Sequence, residues 1–326
     1  MSKKTFYIIL SILAGLVIVG GLIWYFFFKP STPAPTDSAG FTLPGQEITA
    51  GLEPISEGPA VSAHFVGDIL LFYDFSGQLW QLNSGELKPS LSAQQTAENP
   101  KPGTKSIAFS PDGKKIAYYI SDLKNNSLFI SDADGKNQKT LFQNFPLRDI
   151  ILSWPKTNQI AITSKPSGLV AGGLWTFDII TLKLTKILDN LPGLEVIFSS
   201  SGDNFIYSFV DPNGQNPILM AFKKGVSKNQ NISTMVDKCA WAGDSINIYC
   251  AVPKSWPDSV VLPDDYYKSA ISTIDDIWKI NAETGAKNVI FENVGDASNL
   301  AASGGEDNLI FILKNSGFLY KLKLTP

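Results

Sequence analysis

Histidine is almost missing from this 326-residue chain, which carries only His64. A Ser–His–acid triad would have to use it. His64 stands beside Phe65 in the first predicted strand, where a hydrogen-bonded structural histidine is the simpler reading. No Gly-x-Ser-x-Gly elbow occurs, so the strand-to-helix nucleophile turn of the α/β hydrolases is excluded. The sequence therefore designates no catalytic residue. One histidine and two cysteines do not furnish a structural zinc set, and no cofactor or metal is expected. Basic charge is also scarce. Lysine and arginine number 27 against 30 acidic residues, for a net charge of −3. Without a basic surplus to neutralise phosphates, nucleic acid is excluded as a partner.

What is present begins with one long apolar run. Residues 6–28 carry no charge for 23 positions, and as a helix they would reach roughly 35 Å, enough to cross a bilayer with some tilt. Lys3 and Lys4 precede the run. Lys29 follows it, and then nothing basic occurs until Lys88. This bias predicts residues 1–5 in the cytoplasm and the remainder outside, with the chain held as a single-pass protein of the cell membrane. A cleaved signal peptide has a shorter apolar region and a small-residue cleavage site, so the run reads as a retained signal anchor. Residues 29–60 interleave Pro30, Pro33, Pro35, Pro44, Pro54 and Pro59 with Ser, Thr and Gly. They read as an extended spacer.

From Val61 to Pro326 the chain is strand-like, with short apolar runs broken by Gly, Asn, Asp and Pro. A large aromatic returns at Phe65, Phe109, Trp154, Phe198 and Trp241, in steps of 44, 45, 44 and 43 residues. Such a period built from short strands is the mark of β-propeller blades. A second marker, an aliphatic–aromatic pair on each third strand, occurs at Leu79-Trp80, Leu128-Phe129, Leu174-Trp175, Ile277-Trp278 and Leu319-Tyr320. Ile218-Leu219 fills the place in the fourth unit. Six occurrences predict an all-β, six-bladed propeller of four-stranded antiparallel blades, preceded by one transmembrane helix. The sixth unit ends on its third strand, so an outer strand must come from elsewhere. The segment 41–49 is the expected donor; the alternative is a spacer that runs to Pro59 and a three-stranded last blade.

The clearest unit places strands at Ser106–Ser110, Lys115–Ile120, Ser127–Ser131 and Lys139–Phe142. Turn chemistry at Pro111-Asp112-Gly113 and at Asp132-Ala133-Asp134-Gly135 separates them. The runs Phe109-Ser110-Pro111-Asp112-Gly113-Lys114-Lys115 and Leu128-Phe129-Ile130-Ser131-Asp132 resemble the WD-like repeat of TolB-type β-propellers. The resemblance is specific in this unit and fades to spacing and hydrophobic pattern elsewhere. It implies a fold for residues 61–326. The anchor departs from TolB itself, which has a separate N-terminal domain, so that protein's partners are not carried over.

About 18 extra residues lie between Pro253 and Ser272, joining the second and third strands of the fifth unit. Second-to-third loops and unit-to-unit loops emerge on one face of a propeller, so this insertion should crowd there with the connections 164–173 and 93–105. Trp256, Asp258, Asp264, Asp265, Tyr266, Tyr267 and Lys268 are its candidate binding residues. Equally open is a packing role over its own blade, with Trp256 and Tyr266 as plugs. Asp264-Asp265 and Asp275-Asp276 read as solvated loop charge, because neighbouring strand residues point to opposite faces. Cys239 and Cys250 fall opposite each other across the hairpin that turns near Gly243–Ser245, within disulfide reach. Taken together, the sequence predicts an extracytoplasmic binding module whose partner is an envelope protein or a cell-wall glycan. The alternative is an envelope hydrolase of the peptidase- or glycosidase-related propellers, acting through carboxylates at the central pore.

Overall fold

The computed structural model describes residues 51–66, 69–74, 78–83, 86–89, 103–122, 125–133 and 135–324. They belong to a compact unit that spans Ile48–Pro326. The predicted membrane span 6–28 and the segment 41–49 lie outside the described residues. Among the described residues no helix is long and apolar enough to cross a membrane.

The fold is all-β and every strand pairing is antiparallel. Strands β1 (Leu52–Val66), β2 (Ile69–Asp74), β3 (Leu79–Asn83) and β4 (Glu86–Pro89) open the chain. Four sheets of four strands follow. The first holds β5 (Thr104–Phe109), β6 (Lys115–Ser121), β7 (Asn126–Asp132) and β8 (Lys139–Phe142). The second holds β9 (Ile150–Lys156), β10 (Gln159–Ser164), β11 (Ala171–Asp178) and β12 (Lys183–Pro192). Next come β13 (Glu195–Phe198), β14 (Phe205–Phe209), β15 (Ile218–Lys223) and β16 (Val226–Asn229). The last of the four has β17 (Cys239–Trp241), β18 (Asn247–Pro253), β19 (Asp275–Asn281) and β20 (Lys287–Gly295). The chain closes with β21 (Ala297–Ala302), β22 (Asn308–Leu313) and β23 (Phe318–Lys323).

The expected six separate blades are corrected to five sheets. β1 is one continuous strand of 15 residues. Its first half pairs with β23, Leu52 against Leu322 and Pro59 against Phe318. Its second half pairs with β2, Phe65 against Leu70. The first and sixth repeats are thereby fused into one seven-stranded sheet, β21-β22-β23-β1-β2-β3-β4. The strand that completes the last repeat is therefore Leu52–Pro59, drawn from the end of the segment read as spacer. Its prolines hid it. Proline is tolerated there because the register shifts between Pro54 and Pro59 and a strand with one ladder per residue can spare an N–H.

First strands of neighbouring sheets lie against each other, β5 on β9 and β17 on β21, so they line the axis. Buried clusters weld the sheets face to face. Ala117, Tyr119 and Leu128 meet Leu152, Trp154 and Ile160, and Ala161 and Leu174 meet Phe205 and Tyr207. Ile206 and Leu219 meet Cys239, Ile248 and Ile280, and Tyr249 and Ile277 meet Leu300, Leu309 and Phe311. Within the seven-stranded sheet, Leu70 and Phe72 pack on Ile310 and Leu319. Burial at roughly 25 cal/mol per Å² makes each contact surface the main source of stability, because no sheet covers both of its faces alone.

Candidate functional site

The insertion between β18 and β19 is a folded brace. Its centre is the single helical turn α1 (Asp264–Tyr267). Val260, Leu262 and Tyr266 are buried with Val210 and Met235, and Trp256 packs against them. Polar contacts tie it to two other sheets. Asp264 Oδ2 accepts the Gly168 amide at 2.7 Å, and the Leu262 amide donates to the Gly214 carbonyl at 2.7 Å. Asp265 Oδ2 accepts the Val261 amide at 2.8 Å, closing the loop on itself. The Trp256 indole donates to the Ser233 carbonyl at 3.2 Å. Asp258 and Lys268 point to solvent. Asp264 and Asp265 thus serve two different amides and do not converge on a shared ligand.

Tyr266 and Tyr267 reach toward the axis and end in two separate polar groups. The Tyr266 hydroxyl donates to Asp296 Oδ1 at 2.9 Å. Asp296 also accepts from Lys238 at 2.7 Å, and Lys238 reaches Asp275 Oδ2 at 2.7 Å, Thr273 Oγ1 at 3.1 Å and the Ala297 carbonyl at 3.0 Å. Lys238, Asp275 and Asp296 are all sealed from solvent. The Lys314 ammonium stands 3.3 Å from the Tyr266 ring centroid, a cation–π contact strengthened by desolvation. Burial raises the Asp275 carboxyl above its ordinary value despite Lys238. Burial also opposes ionisation of Asp296, but Lys238 and the Tyr266 hydroxyl outweigh it and hold that carboxyl low. This cluster has no opening and acts as a polar rivet.

The second group is open. A cavity of ≈ 160 Å³ at the start of the inner strands is lined by Ile151, Ser153 and Thr163 of one sheet and by Glu195 and Ile197 of the next. Val236 and Asp237 of the helical turn before β17 and Tyr267 of the insertion complete it. The Tyr267 hydroxyl donates to Glu195 Oε1, and Ser208 Oγ donates weakly to Oε2 at 3.4 Å. Burial pushes the Glu195 carboxyl up to about 8, and the neighbouring Asp237 carboxylate adds to the shift. Burial raises Asp237 as well, against the pull of Lys238 and Lys314. Two carboxyls that cannot both ionise easily therefore share one wall of the cavity.

Several apolar side chains of the insertion and of the loop it holds face solvent. Leu169 and Val170 follow Gly168 in the loop that Asp264 holds, and Ile274 stands at the stem of the insertion. Tyr267 is 48% exposed although its hydroxyl is engaged. A larger cavity of ≈ 410 Å³ is lined by Tyr249, Lys279 and Glu306. There Tyr249 donates to Glu306 at 3.1 Å and Lys279 pairs with it at 3.3 Å, and Asp307 and Lys323 also line the wall.

Of the seven candidate residues, the structure brings Tyr267 to the open mouth and Tyr266 to the rivet, and it uses Trp256, Asp264 and Asp265 in the brace. The reading of Asp275 as solvated loop charge is corrected: the side chain is buried because Lys238 neutralises it. Glu195, Asp237, Lys238 and Asp296 escaped the sequence reading. A positional signal did exist, since Glu195 and Lys238 each stand three residues before the recurring aromatic, at Phe198 and Trp241. The Asp132–Asn137 segment is a turn, with Asn137 donating to Asp132 at 2.6 Å. Cys239 and Cys250 are direct cross-strand partners. They form a disulfide with Cα atoms 4.1 Å apart.

No family model matches this sequence, and no curated protein matches it. Solved structures do match in fold. An oligogalacturonate lyase in complex with manganese is 10% identical, with a TM-score of 0.52 over 82% of this chain and 78% of that one. Kuenenia stuttgartiensis hydrazine synthase is 13% identical, with a TM-score of 0.50 over 87% of this chain and 80% of that one. TolB from Acinetobacter baumannii is 15% identical, with a TM-score of 0.45 over 84% of this chain. The match spans 64% of that TolB chain, just under two thirds of its length. At these identities the likenesses show the β-propeller fold and nothing finer.

Proposed function

We propose that this chain is a membrane-anchored β-propeller that binds a protein partner of the cell envelope on its loop face and performs no chemistry. Residues 6–28 hold it in the membrane, and the propeller lies outside. The observation that supports the reading is the brace. Asp264 and Leu262 lock the loops of two other sheets to the insertion. The lock fixes Leu169, Val170, Tyr267 and Ile274 as exposed apolar points on an ordered platform. Exposed apolar groups set on a rigid scaffold mark interaction surfaces. Sugars need convergent donors and acceptors, and Asp264, Asp265 and the Tyr267 hydroxyl are already engaged within the protein, which favours a protein over a glycan. The open cavity, at ≈ 160 Å³, is smaller than the roughly 300–1,000 Å³ that ordinary small-molecule sites occupy. It suits one projecting side chain.

A photo-crosslinking residue placed at Leu169 or Tyr267 in the full-length protein should give one discrete protein adduct in intact cells. The same probe at Ile180, exposed on the hairpin at the opposite end of its sheet, should give none. Labelling that is equal at all three positions would sink the proposal.

One observation favours a second reading, an envelope hydrolase. Glu195, held up to about 8 beside Asp237, is a protonated carboxylic acid at neutral pH, the state a general acid requires. Turnover of a peptide or glycoside substrate that Glu195→Gln abolishes, with folding intact, would put this reading first.

A further inference from the structure

Lys238, Asp275 and Asp296 meet at the heads of three strands. Lys238 stands one residue before β17, Asp275 opens β19, and Asp296 stands one residue before β21. All three are sealed from solvent, and the Tyr266 ring covers them, its centroid 4.9 Å from the Lys238 ammonium. Two carboxyls thus share one lysine, but they are held differently. Asp296 is filled. Its Oδ1 accepts from Lys238, from the Tyr266 hydroxyl and from Thr273 Oγ1, and its Oδ2 accepts the Thr273 amide at 3.3 Å. On Asp275 only one oxygen is engaged. Its Oδ2 accepts from Lys238 at 2.7 Å and from the Ala297 amide at 2.9 Å. Its Oδ1 is buried and accepts no hydrogen bond from the described residues. A plain structural ion pair would fill that oxygen, because a buried acceptor left empty is costly.

We propose that this group is the site of an intramolecular isopeptide bond, formed between Lys238 Nζ and Asp275 Cγ with Asp296 as the base. The structure shows the ion triad that precedes condensation. Nζ lies 2.7 Å from Oδ2, and one C–O bond of about 1.2 Å separates that oxygen from Cγ. The nucleophile is held close to its target, where fixed geometry replaces a bimolecular encounter. The two environments assign the roles. Although burial opposes it, Lys238 and the Tyr266 hydroxyl hold Asp296 ionised and fit to take a proton. Burial favours the neutral acid at Asp275. Asp296 is the poorer electrophile, because hydrogen bonds hold both of its oxygens in place.

Asp296 takes one proton from the ammonium. The free amine attacks Cγ of the protonated Asp275, the Nζ–Cγ bond forms, and charge moves onto Oδ2 beside the Ala297 amide, a preplaced oxyanion donor. Collapse breaks the Cγ–Oδ1 bond. The unpartnered Oδ1 leaves as water, with the proton of Asp275 and a second proton from Nζ. The last lysine proton stays on the amide. An ammonium and a carboxylate have become an amide and a neutral acid, so no ion remains sealed from water. The bond joins the head of β17 to the head of β19. It closes residues 238–275, the whole insertion included, into a covalent ring that local unfolding cannot open.

The test is the intact mass of the full-length wild type, folded and incubated at neutral pH, followed by peptide mapping. The mass should fall by one water below that of the disulfide-bonded sequence, and a digest should yield a branched peptide that joins Lys238 to Asp275. Asp275→Asn should form the same branch with loss of one ammonia in place of water. Asp296→Asn, shown to be folded by circular dichroism, should form the bond about a hundredfold more slowly or not at all. A wild type that keeps its full mass after prolonged incubation would overturn the proposal. So would a lost water that maps to any other pair of residues, or an Asp296→Asn protein that condenses at the wild-type rate. The first two outcomes need no variant, so a misfolded variant cannot shield the proposal.

Discussion

Lys238 Nζ lies 2.7 Å from Asp275 Oδ2, and neither side chain reaches solvent. The residue just before the first strand of one sheet is thus bonded to the first residue of the third strand. Through Asp296, at another 2.7 Å, it is also bonded to the next sheet. A charge buried this deeply costs several kcal/mol to desolvate and is retained only when fully paired. Lys238 faces four oxygens, the Tyr266 hydroxyl donates to the same Asp296 oxygen, Oδ1, and the Thr273 amide donates to Oδ2.

Lys238→Met keeps the length of the side chain and strands two carboxyls. Removing one partner of a buried ion pair costs about 3–5 kcal/mol, so urea unfolding should shift by that amount. The loss should be smaller at pH 5 than at pH 8, because orphaned carboxyls escape part of the penalty by taking up protons. A shift below about 1 kcal/mol at pH 8 would mean that the rivet carries no load.

Glu195 predicts a second pH dependence. Its folded carboxyl stands at about 8, above the ordinary value of 4.5. Between these limits the folded state holds a proton that the unfolded chain has released. The stabilising effect is therefore complete below about pH 4.5 and is lost as the pH rises through 8. Stability measured at constant ionic strength should decline from pH 5 to pH 8, by an amount on the order of a few kcal/mol. Glu195→Gln should flatten the decline, since a neutral amide keeps the shape and discards the titration. An unchanged slope in that variant would assign the decline to other groups, with Asp237 and Asp275 next in line because burial raises both.

Much of this molecule is written in its repeat, and the exceptions have physical causes. The third-strand pairs fall on β3, β7, β11, β15, β19 and β23 as their spacing requires, because each ladder forces one side-chain period. Residues 115–120 and 139–142 were legible for the same reason, helped by the Asp and Gly turns beside them. The number of sheets was not legible. Pro54 and Pro59 look like spacer residues, and only the partner β23 turns them into strand. The rivet and the open mouth were also hidden. A charged residue at the start of a strand looks solvated until a loop 72 residues later in the chain folds over it, as Tyr267 does over Glu195. Hydrophobic period reports what packs within a sheet, and it is silent about which polar groups meet across sheets.

Gly168 supplies a prediction about the loop face. A Cβ at this position would press on the Leu262 carbonyl oxygen and lie 3.1 Å from Val261 Cγ1 and 3.2 Å from the Gly214 backbone. Backbone cannot yield as a side-chain tip can. Gly168→Ala should therefore push the insertion off the neighbouring loops, break the hydrogen bond from Gly168 to Asp264 and cost roughly 1–3 kcal/mol. Partner capture through Leu169 and Tyr267 should fall with it. Gly113→Ala is the reference. It too strains a turn glycine, with φ at +68, but its Cβ meets nothing within 4 Å. That variant should lose some stability and keep its binding. Capture that survives Gly168→Ala intact would separate the brace from the binding face.

The disulfide gives the last prediction. Cys239 and Cys250 close a loop with a sequence separation of 11, and both are buried in the cluster that joins their sheet to the preceding one. A short loop of this kind restricts the unfolded chain by roughly 2–3 kcal/mol. Cys239→Ala with Cys250→Ala removes the crosslink and leaves a small apolar deficit in the same cluster, so a loss at or above that range is expected. For a domain of this size each kcal/mol moves the melting temperature by about 2–4 °C, so the midpoint should fall by several degrees. The oxidised wild type should lose most of the same margin in a strong reductant, while the double variant should not respond. β17 begins at Cys239, one residue after Lys238 and two after Asp237, so loosening this hairpin acts directly on both axial groups. Partner capture that falls on reduction in the wild type, and is unmoved by reductant in the double variant, would tie the crosslink to the binding face. Melting temperatures that coincide with and without reductant in the wild type would show that the bond adds nothing to the fold.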